Sequence, residues 1–204
     1  MNTTPDRDSP IRSAVLDAAR QCFSESGYRG TSMKTLLDVA GVSRGGFYHY
    51  FSSKKDVLHV LHGEFIDRVL ESFQTAEATK DSPEGRLRRF IHSYLQLITR
   101  DRDLAEIFFQ EKNFHRDRGF ADVMKKRKEV DSRLQALIGD GIQDGVFRKT
   151  LRGRLMDFAL FGMLNWTYMW YRPDGPATVD DIADEFSEIM LRGIMADRAA
   201  PASA

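Results

Sequence analysis

Apolar residues recur at three- and four-residue intervals along almost the whole chain, and no segment alternates apolar and polar positions as a half-buried strand would. The pattern predicts an all-α protein. Ile11, Val15, Ala18, Ala19, Cys22 and Phe23 form a first stripe, followed by two short ones at Leu36, Val39 and Ala40 and at Phe47 and Phe51. A long stripe from Val57 through Leu58, Leu61, Phe65 and Val69 to Phe73 predicts one helix from Lys54 to about Thr75. Ser82 caps and Pro83 opens the next, with Leu87, Phe90, Ile91, Tyr94, Leu95 and Ile98 inward. A helix over Leu104 to Phe114 follows, then a longer one from Phe120 to Ile142 that Gly145 ends. Two last helices, about Leu151 to Tyr171 and Val179 to Ala196, flank the turn Arg172 to Pro176.

The short stripes carry the first functional signal. Thr31 or Ser32 caps a helix facing inward through Leu36, Val39 and Ala40, and Gly41 suits the left-handed residue that ends helices. Ser43 caps a second helix whose Phe47 and Phe51 share one face, leaving Arg44, Gly45, Tyr48 and His49 outward. This is the pattern of a helix-turn-helix, whose second helix enters the major groove with its N-terminal residues on base edges. Glycine at both 45 and 46 costs up to about 1 kcal/mol each inside a helix, and close approach of backbone to DNA explains the expense. Tyr48, His49, Lys54 and Lys55 are placed to hold phosphates, helped by the amides at the start of the next helix.

About the first 60 residues resemble the DNA-binding domain of the TetR family of bacterial transcriptional regulators. The resemblance rests on Ala18, Ala19, Phe23, Gly27 and Tyr28 in the leading helix, then Thr31, Ser32, Val42, Ser43 and the run Phe47 to Phe51. It implies DNA contacts from Thr31, Ser32, Lys34, Ser43, Arg44, Gly45, Gly46, Tyr48, His49 and Lys54. The expected architecture is an N-terminal three-helix helix-turn-helix head over residues 1–53, with an N-terminal arm in which Arg7 or Arg12 reaches DNA. A helical ligand-binding and dimerisation body follows over 54–198, then a disordered tail over 199–204. The long helix from Lys54 is the expected mechanical link between head and body.

The helix over Leu155 to Tyr171 is apolar around nearly its whole circumference, so every side of it must be covered. The last helix has a clean stripe of Val179, Ile182, Ala183, Phe186, Ile189, Met190 and Ile194. Pairing both with their copies makes a homodimer interface, for which Phe158, Trp170, Ile182, Phe186 and Met190 are the candidates, and two heads then read an inverted repeat. The competing reading is a buried core helix in a monomer.

The run Leu164 to Pro176, with Gly141 to Arg148 upstream, resembles the C-terminal domain of TetR regulators of fatty-acid, sterol and aromatic-acid catabolism that respond to acyl-CoA thioesters. The resemblance implies a repressor released by such an effector. Phe108, Phe109, Phe114, Phe161, Trp166 and Met169 are candidates for an apolar tunnel, and Asn165 for a bond to a thioester carbonyl or pantetheine amide. Arg116, Arg118, Lys125, Lys126, Arg127 and Lys128 are candidates for its phosphates; the competing reading of the basic run is a solvated helix face. Aromatics at helical spacing equally suit a core. Asn165 equally suits a contact across the dimer.

Composition changes this picture little. Net charge is zero; residues 1–62 carry eight Lys or Arg against six Asp or Glu, and the remainder 22 against 24. DNA affinity therefore depends on where charge is placed. The lone Cys22 forms no intramolecular disulfide, and without a long apolar run or signal-peptide core the expected location is the cytoplasm. His59 and His62 lack the further ligands of a metal site, Gly139, Gly141 and Gly145 lack the strand and Lys-Ser of a phosphate loop, and no nucleophile has a base. No metal, cofactor or catalysis is expected. The alternatives are a multidrug-efflux regulator binding lipophilic cations, with Glu106 and Glu111 near Phe108 and Phe109, and, more remotely, a helical enzyme or binding module.

Overall fold

The computed structural model describes residues 9–78, 80–111 and 117–196, with Arg118 described in its backbone alone. The elements are α1 (Pro10–Gly30), α2 (Met33–Ala40), α3 (Arg44–Tyr50), α4 (Lys54–Glu77), α5 (Pro83–Arg100), α6 (Arg102–Gln110), a 3-10 turn (Arg118–Phe120), α7 (Ala121–Gln143), α8 (Gly153–Asn165), α9 (Thr167–Trp170) and α10 (Val179–Ile194). The chain is all-α, as its periodicity demands. The one departure among the described residues is an isolated antiparallel bridge between Phe147 and Met195.

The chain divides into two compact units, the described residues of Met1–Asp67 with Asp101–Lys125 and those of Arg68–Arg100 with Lys126–Ala204. In the first, α1 packs on α2, α3 and α6. Val15, Ala19, Phe23, Leu36, Phe47, Val57, Leu61 and Phe65 are buried at its centre. This unit extends beyond residue 53 because the first turns of α4 and the apolar face of α6 (Leu104, Ala105, Ile107 and Phe108) bury in it. Arg20 of α1 pairs with Glu64 of α4 across the same layer.

In the second unit α5 packs chiefly against α10 and also on α8 and α9. Phe73 stacks on Phe90 at 4.0 Å, and Phe90 and Tyr94 hold Phe161 edge-on. Polar side chains seam α5 to α10: an ion pair of Arg88 with Glu188 at 3.1 Å and a hydrogen bond between His92 and Asp184 at 3.0 Å. Thr178 and Asp181 form a reciprocal capping box at the start of α10.

Three sequence expectations change. Val39 is 47% exposed, because the eight-residue α2 buries Leu36 and leaves Val39 on its flank. The helix expected over about 151–171 begins at Gly153 and is interrupted at Trp166, where the amide of Met169 reaches only three residues back, to the Trp166 carbonyl. Helix α6 stops at Gln110; Phe114, Arg116, Arg7 and the tail from Ala199 lie outside the described residues.

His62 of α4 is fully buried between the rings of Phe108 at 5.1 Å and Phe120 at 5.6 Å. Burial depresses its pKa to about 3, with His59 adding to the depression. The unfolded chain then takes up a proton near pH 6.5 that the fold refuses, so stability is intact above pH 6.5 and falls as pH drops toward 3, by up to about 1.4 kcal/mol per unit. His62→Phe should flatten that acid limb relative to wild type in urea titrations at pH 7.5, 6 and 5; parallel limbs would contradict the assignment.

Candidate nucleic-acid interface and effector face

The recognition segment is built from two capped helices and a tight turn. Ser32 accepts the amide of Thr35 at 3.0 Å and starts α2; Gly41, at φ 64°, takes the left-handed position that ends it. Ser43 accepts the amide of Gly46 at 3.1 Å and starts α3. Phe47 is fully buried beneath α3, and Phe51 packs 5.6 Å from it. The opposite side presents Arg44, Gly45, Tyr48 and His49, all exposed, with Tyr48 at 51%. Lys34 and Arg44 make no hydrogen bond or ion pair among the described residues, so both cations are available to an anion.

A Cβ at Gly45 would meet only Ser43 Oγ, at 4.0 Å, and one at Gly46 would meet that atom at 3.4 Å. Neither distance forbids a side chain. The fold itself therefore does not require these two glycines, and a reason for them must come from outside the chain.

Two residues expected at DNA are committed elsewhere. The Thr31 hydroxyl is buried and donates to the carbonyls of Cys22 and Gly27, both at 3.0 Å, tying down the end of α1. The Lys54 ammonium donates to the carbonyls of Tyr28, at 2.6 Å, and Thr31, and lies 4.3 Å over the Tyr28 ring. Burial pushes the Lys54 ammonium below the usual lysine range. It is a bolt for the head, with few donors left for phosphate. Part of the start of α4 is also engaged: Asp56 accepts from Ser52 N at 3.0 Å, Ser53 Oγ accepts from Asp56 N at 3.2 Å, and the Lys55 ammonium pairs with Asp117. A carboxylate there opposes a phosphate. Sequence spacing alone did not separate a lysine that caps carbonyls from one that meets DNA.

The expected effector residues fall in both units. In the first, Phe108 is buried against Phe65 at 4.6 Å, and Phe109 sits half-buried, 5.5 Å from Phe65. In the second, Phe161 is half-buried, and Asn165 Oδ1 accepts a 2.6 Å bond from the Tyr94 hydroxyl. Burial raises the Tyr94 phenol above its ordinary range, so it stays a donor. Trp166 at 60% and Met169 at 47% are exposed in the single chain. The basic residues Lys125, Arg127 and Lys128 are exposed along α7.

Leu155, Phe158, Trp166, Met169 and Trp170 form an exposed apolar run on α8 and α9, with Phe158 at 62% beneath the Arg154 guanidinium. Trp170 meets half-buried Phe186 at 6.4 Å, and Ile189 on α10 is 54% exposed. Ile182 and Met190 are buried within the chain, because α10 turns them toward α5. Among the described residues no group of three or more potential ligands could hold a metal ion, and no helix is long and apolar enough to cross a membrane.

Residues 15–61 match the family described as bacterial regulatory proteins, tetR family, and residues 80–194 match the tetracyclin repressor-like C-terminal domain. The HTH-type transcriptional repressor KstR2 of Rhodococcus jostii strain RHA1 is 26% identical over 185 residues, 90% of each chain. The solved structure of the ketosteroid transcriptional regulator KstR2 of Mycobacterium tuberculosis superposes with a TM-score of 0.83 at 24% identity, over 94% of this chain and 98% of that one. AibR, solved in complex with isovaleryl coenzyme A and operator DNA, gives 0.79 at 24% identity over 89% and 97%.

Replacing Lys54 by Ala leaves the Tyr28 and Thr31 carbonyls without their shared donor, a loss of about 1–3 kcal/mol. The Lys54→Ala variant should unfold at lower urea while its DNA binding keeps the wild-type salt slope; a slope reduced by about one, with stability unchanged, would return Lys54 to the phosphate backbone.

Proposed function

The chain belongs to the tetR family of bacterial regulatory proteins, and on that premise we propose that it is a dimeric repressor, released from a palindromic operator by an acyl-CoA thioester. The observation that carries the DNA half is the outward face of α3, where Arg44 stands exposed without a competing partner beside Gly45, Tyr48 and His49. Arg44 reads a guanine edge in the major groove, the glycines let the α3 backbone approach, and Lys34, Tyr48 and His49 hold phosphates. Ser32 and Ser43 act as caps that aim their helices and offer their hydroxyls to the backbone of DNA. The head spans residues 1–53 in this reading, and the body 54–198.

Dimerisation is supported by the exposure of Leu155, Phe158, Trp166, Met169 and Trp170 along α8 and α9 in the single chain. A second copy covers Phe158, Trp166, Trp170, Phe186 and Ile189, while Ile182 and Met190 support that face from behind. Two heads then meet two half-sites about one helical turn apart.

The acyl-CoA reading draws support from two relatives, a repressor named for ketosteroids and a same-fold regulator solved with isovaleryl coenzyme A. In the second unit, Phe161 and Asn165 offer apolar and polar contact to an acyl thioester. Trp166 and Met169 line the same site only where a second copy roofs it, given their exposure in one chain. Phe108 and Phe109 of α6 belong to the first unit and are separate candidates for contact with an apolar ligand. Lys125, Arg127 and Lys128 offer charge to the nucleotide phosphates. Release requires that the ligand bind more tightly to a conformation whose heads are wrongly spaced, since equal affinity for both shifts nothing. Helix α4, continuous from Lys54 to Glu77, is the element that carries the displacement to the head.

Arg44→Ala should cost about 1–3 kcal/mol of operator affinity and make one base pair per half-site replaceable without further loss. Equal affinity of variant and wild type would remove Arg44 from base reading. For the effector, a panel of acyl-CoAs of rising chain length should release the wild-type protein from its operator at micromolar concentration in gel-shift titrations, with free CoA and the free acids much weaker. A panel that neither shifts the DNA complex nor raises the melting temperature would end the acyl-CoA assignment and leave the DNA-binding reading intact.

A further inference from the structure

Helix α8 carries one acid, Asp157, and between Arg154 and Asn165 it is otherwise apolar. Asp157 is 5% exposed. Its Oδ2 accepts from Gln135 Nε2 of α7 at 2.8 Å, whereas Oδ1 is buried with no hydrogen-bond partner among the described residues. Arg154, one turn away, spends its guanidinium over the Phe158 ring, 5.6 Å from the centroid. A buried carboxylate oxygen without a donor is costly, so a donor from outside the chain, water or ligand, stabilises it. Burial lifts the Asp157 carboxyl above its ordinary range against the Gln135 bond, and the charge of Asp131 adds to the lift.

Asp157, Phe161 and Asn165 are spaced four residues apart, so they share one stripe of α8 about 12 Å long. Phe161 lies against Phe90 and Tyr94. Asn165 gives its Oδ1 to the Tyr94 hydroxyl and keeps its amide hydrogens for another acceptor. In order along the helix, the stripe offers a hydrogen-bond acceptor, an apolar ring and a donor. A chain carrying an amide N–H, methylenes and a thioester carbonyl presents the complementary sequence. We propose that Asp157 Oδ1 accepts an amide N–H from the pantetheine arm of the effector, which makes Asp157 the residue that selects ligands possessing such an N–H. The proposal rests on the acyl-CoA reading and adds to it a residue and a bond.

The test uses the full-length protein and three probes: octanoyl-CoA, S-octanoyl-N-acetylcysteamine with one amide N–H, and S-butyl thiooctanoate with none. Each melting temperature is measured against the same variant without probe, so a general loss of stability cancels. Wild type should be stabilised more by the cysteamine thioester than by the butyl thioester, and Asp157→Asn should erase that difference, because an amide whose oxygen faces Gln135 presents a second donor to the ligand. Asp157→Leu, which removes the acceptor outright, should do the same. Octanoyl-CoA affinity should fall about tenfold or more in both variants. A difference between the two small thioesters that survives in both variants, or unchanged octanoyl-CoA affinity, overturns the proposal while leaving the acyl-CoA reading standing. Failure of octanoyl-CoA to stabilise wild type overturns both. Stabilisation of wild type by tetraphenylphosphonium, lost in Asp157→Asn, overturns the amide assignment in favour of an organic cation.

Discussion

A recognition helix of seven residues is far too short to hold its own shape in water, so what α3 presents to DNA depends on how the end of α1 is fastened to the start of α4. That fastening is the Lys54 ammonium. It gathers the carbonyls of Tyr28 and Thr31 and lies over the Tyr28 ring, while the Thr31 hydroxyl closes the same corner onto Cys22 and Gly27. With the corner fixed, Leu36 and Phe47 bury beneath the two short helices, and the serine caps set where each begins. Arg44 is thereby held at a defined place on a surface that is otherwise short of internal partners. The overall charge is zero, so placement of a few side chains carries the affinity.

The second constraint is an apolar surface that one chain leaves uncovered. Phe158 and Trp166 are both 60% exposed or more, and Ile189 of α10 is exposed as well. The second copy proposed above would satisfy this surface and at once account for a reader of inverted repeats, which gives association and DNA recognition one physical origin. The same face bears on the effector. In the proposed dimer, residues too exposed to line a pocket in one chain become walls when the partner arrives, which would link occupancy to the geometry of the pair.

Much of this was legible in the sequence because helical periodicity and capping are local properties. Gly41, Ser43 and Pro83 all mark true boundaries. The outward set Arg44, Gly45, Tyr48 and His49 follows from the burial of Phe47 and Phe51 by the turn of the helix alone. What the sequence concealed is tertiary. Thr31 and Lys54 have the right chemistry for phosphate, and only the position of α1 reveals that backbone carbonyls claim them first. The interruption at Trp166 carries no Pro or Gly to announce it. Asp157 did have a signal, an acid within an apolar helix, but periodicity treats such a residue as a blemish. Its importance appears only when its neighbours are known to leave Oδ1 unanswered.

The central claim is that a pair of these chains reads DNA through α3, and selection from a random duplex library tests it most directly. Purified protein should enrich an inverted repeat whose two half-sites lie about one helical turn apart, with a guanine in each half-site whose enrichment disappears when Arg44 is replaced by Ala. Enrichment of no motif, or of a single unrepeated site indifferent to Arg44, would contradict the account.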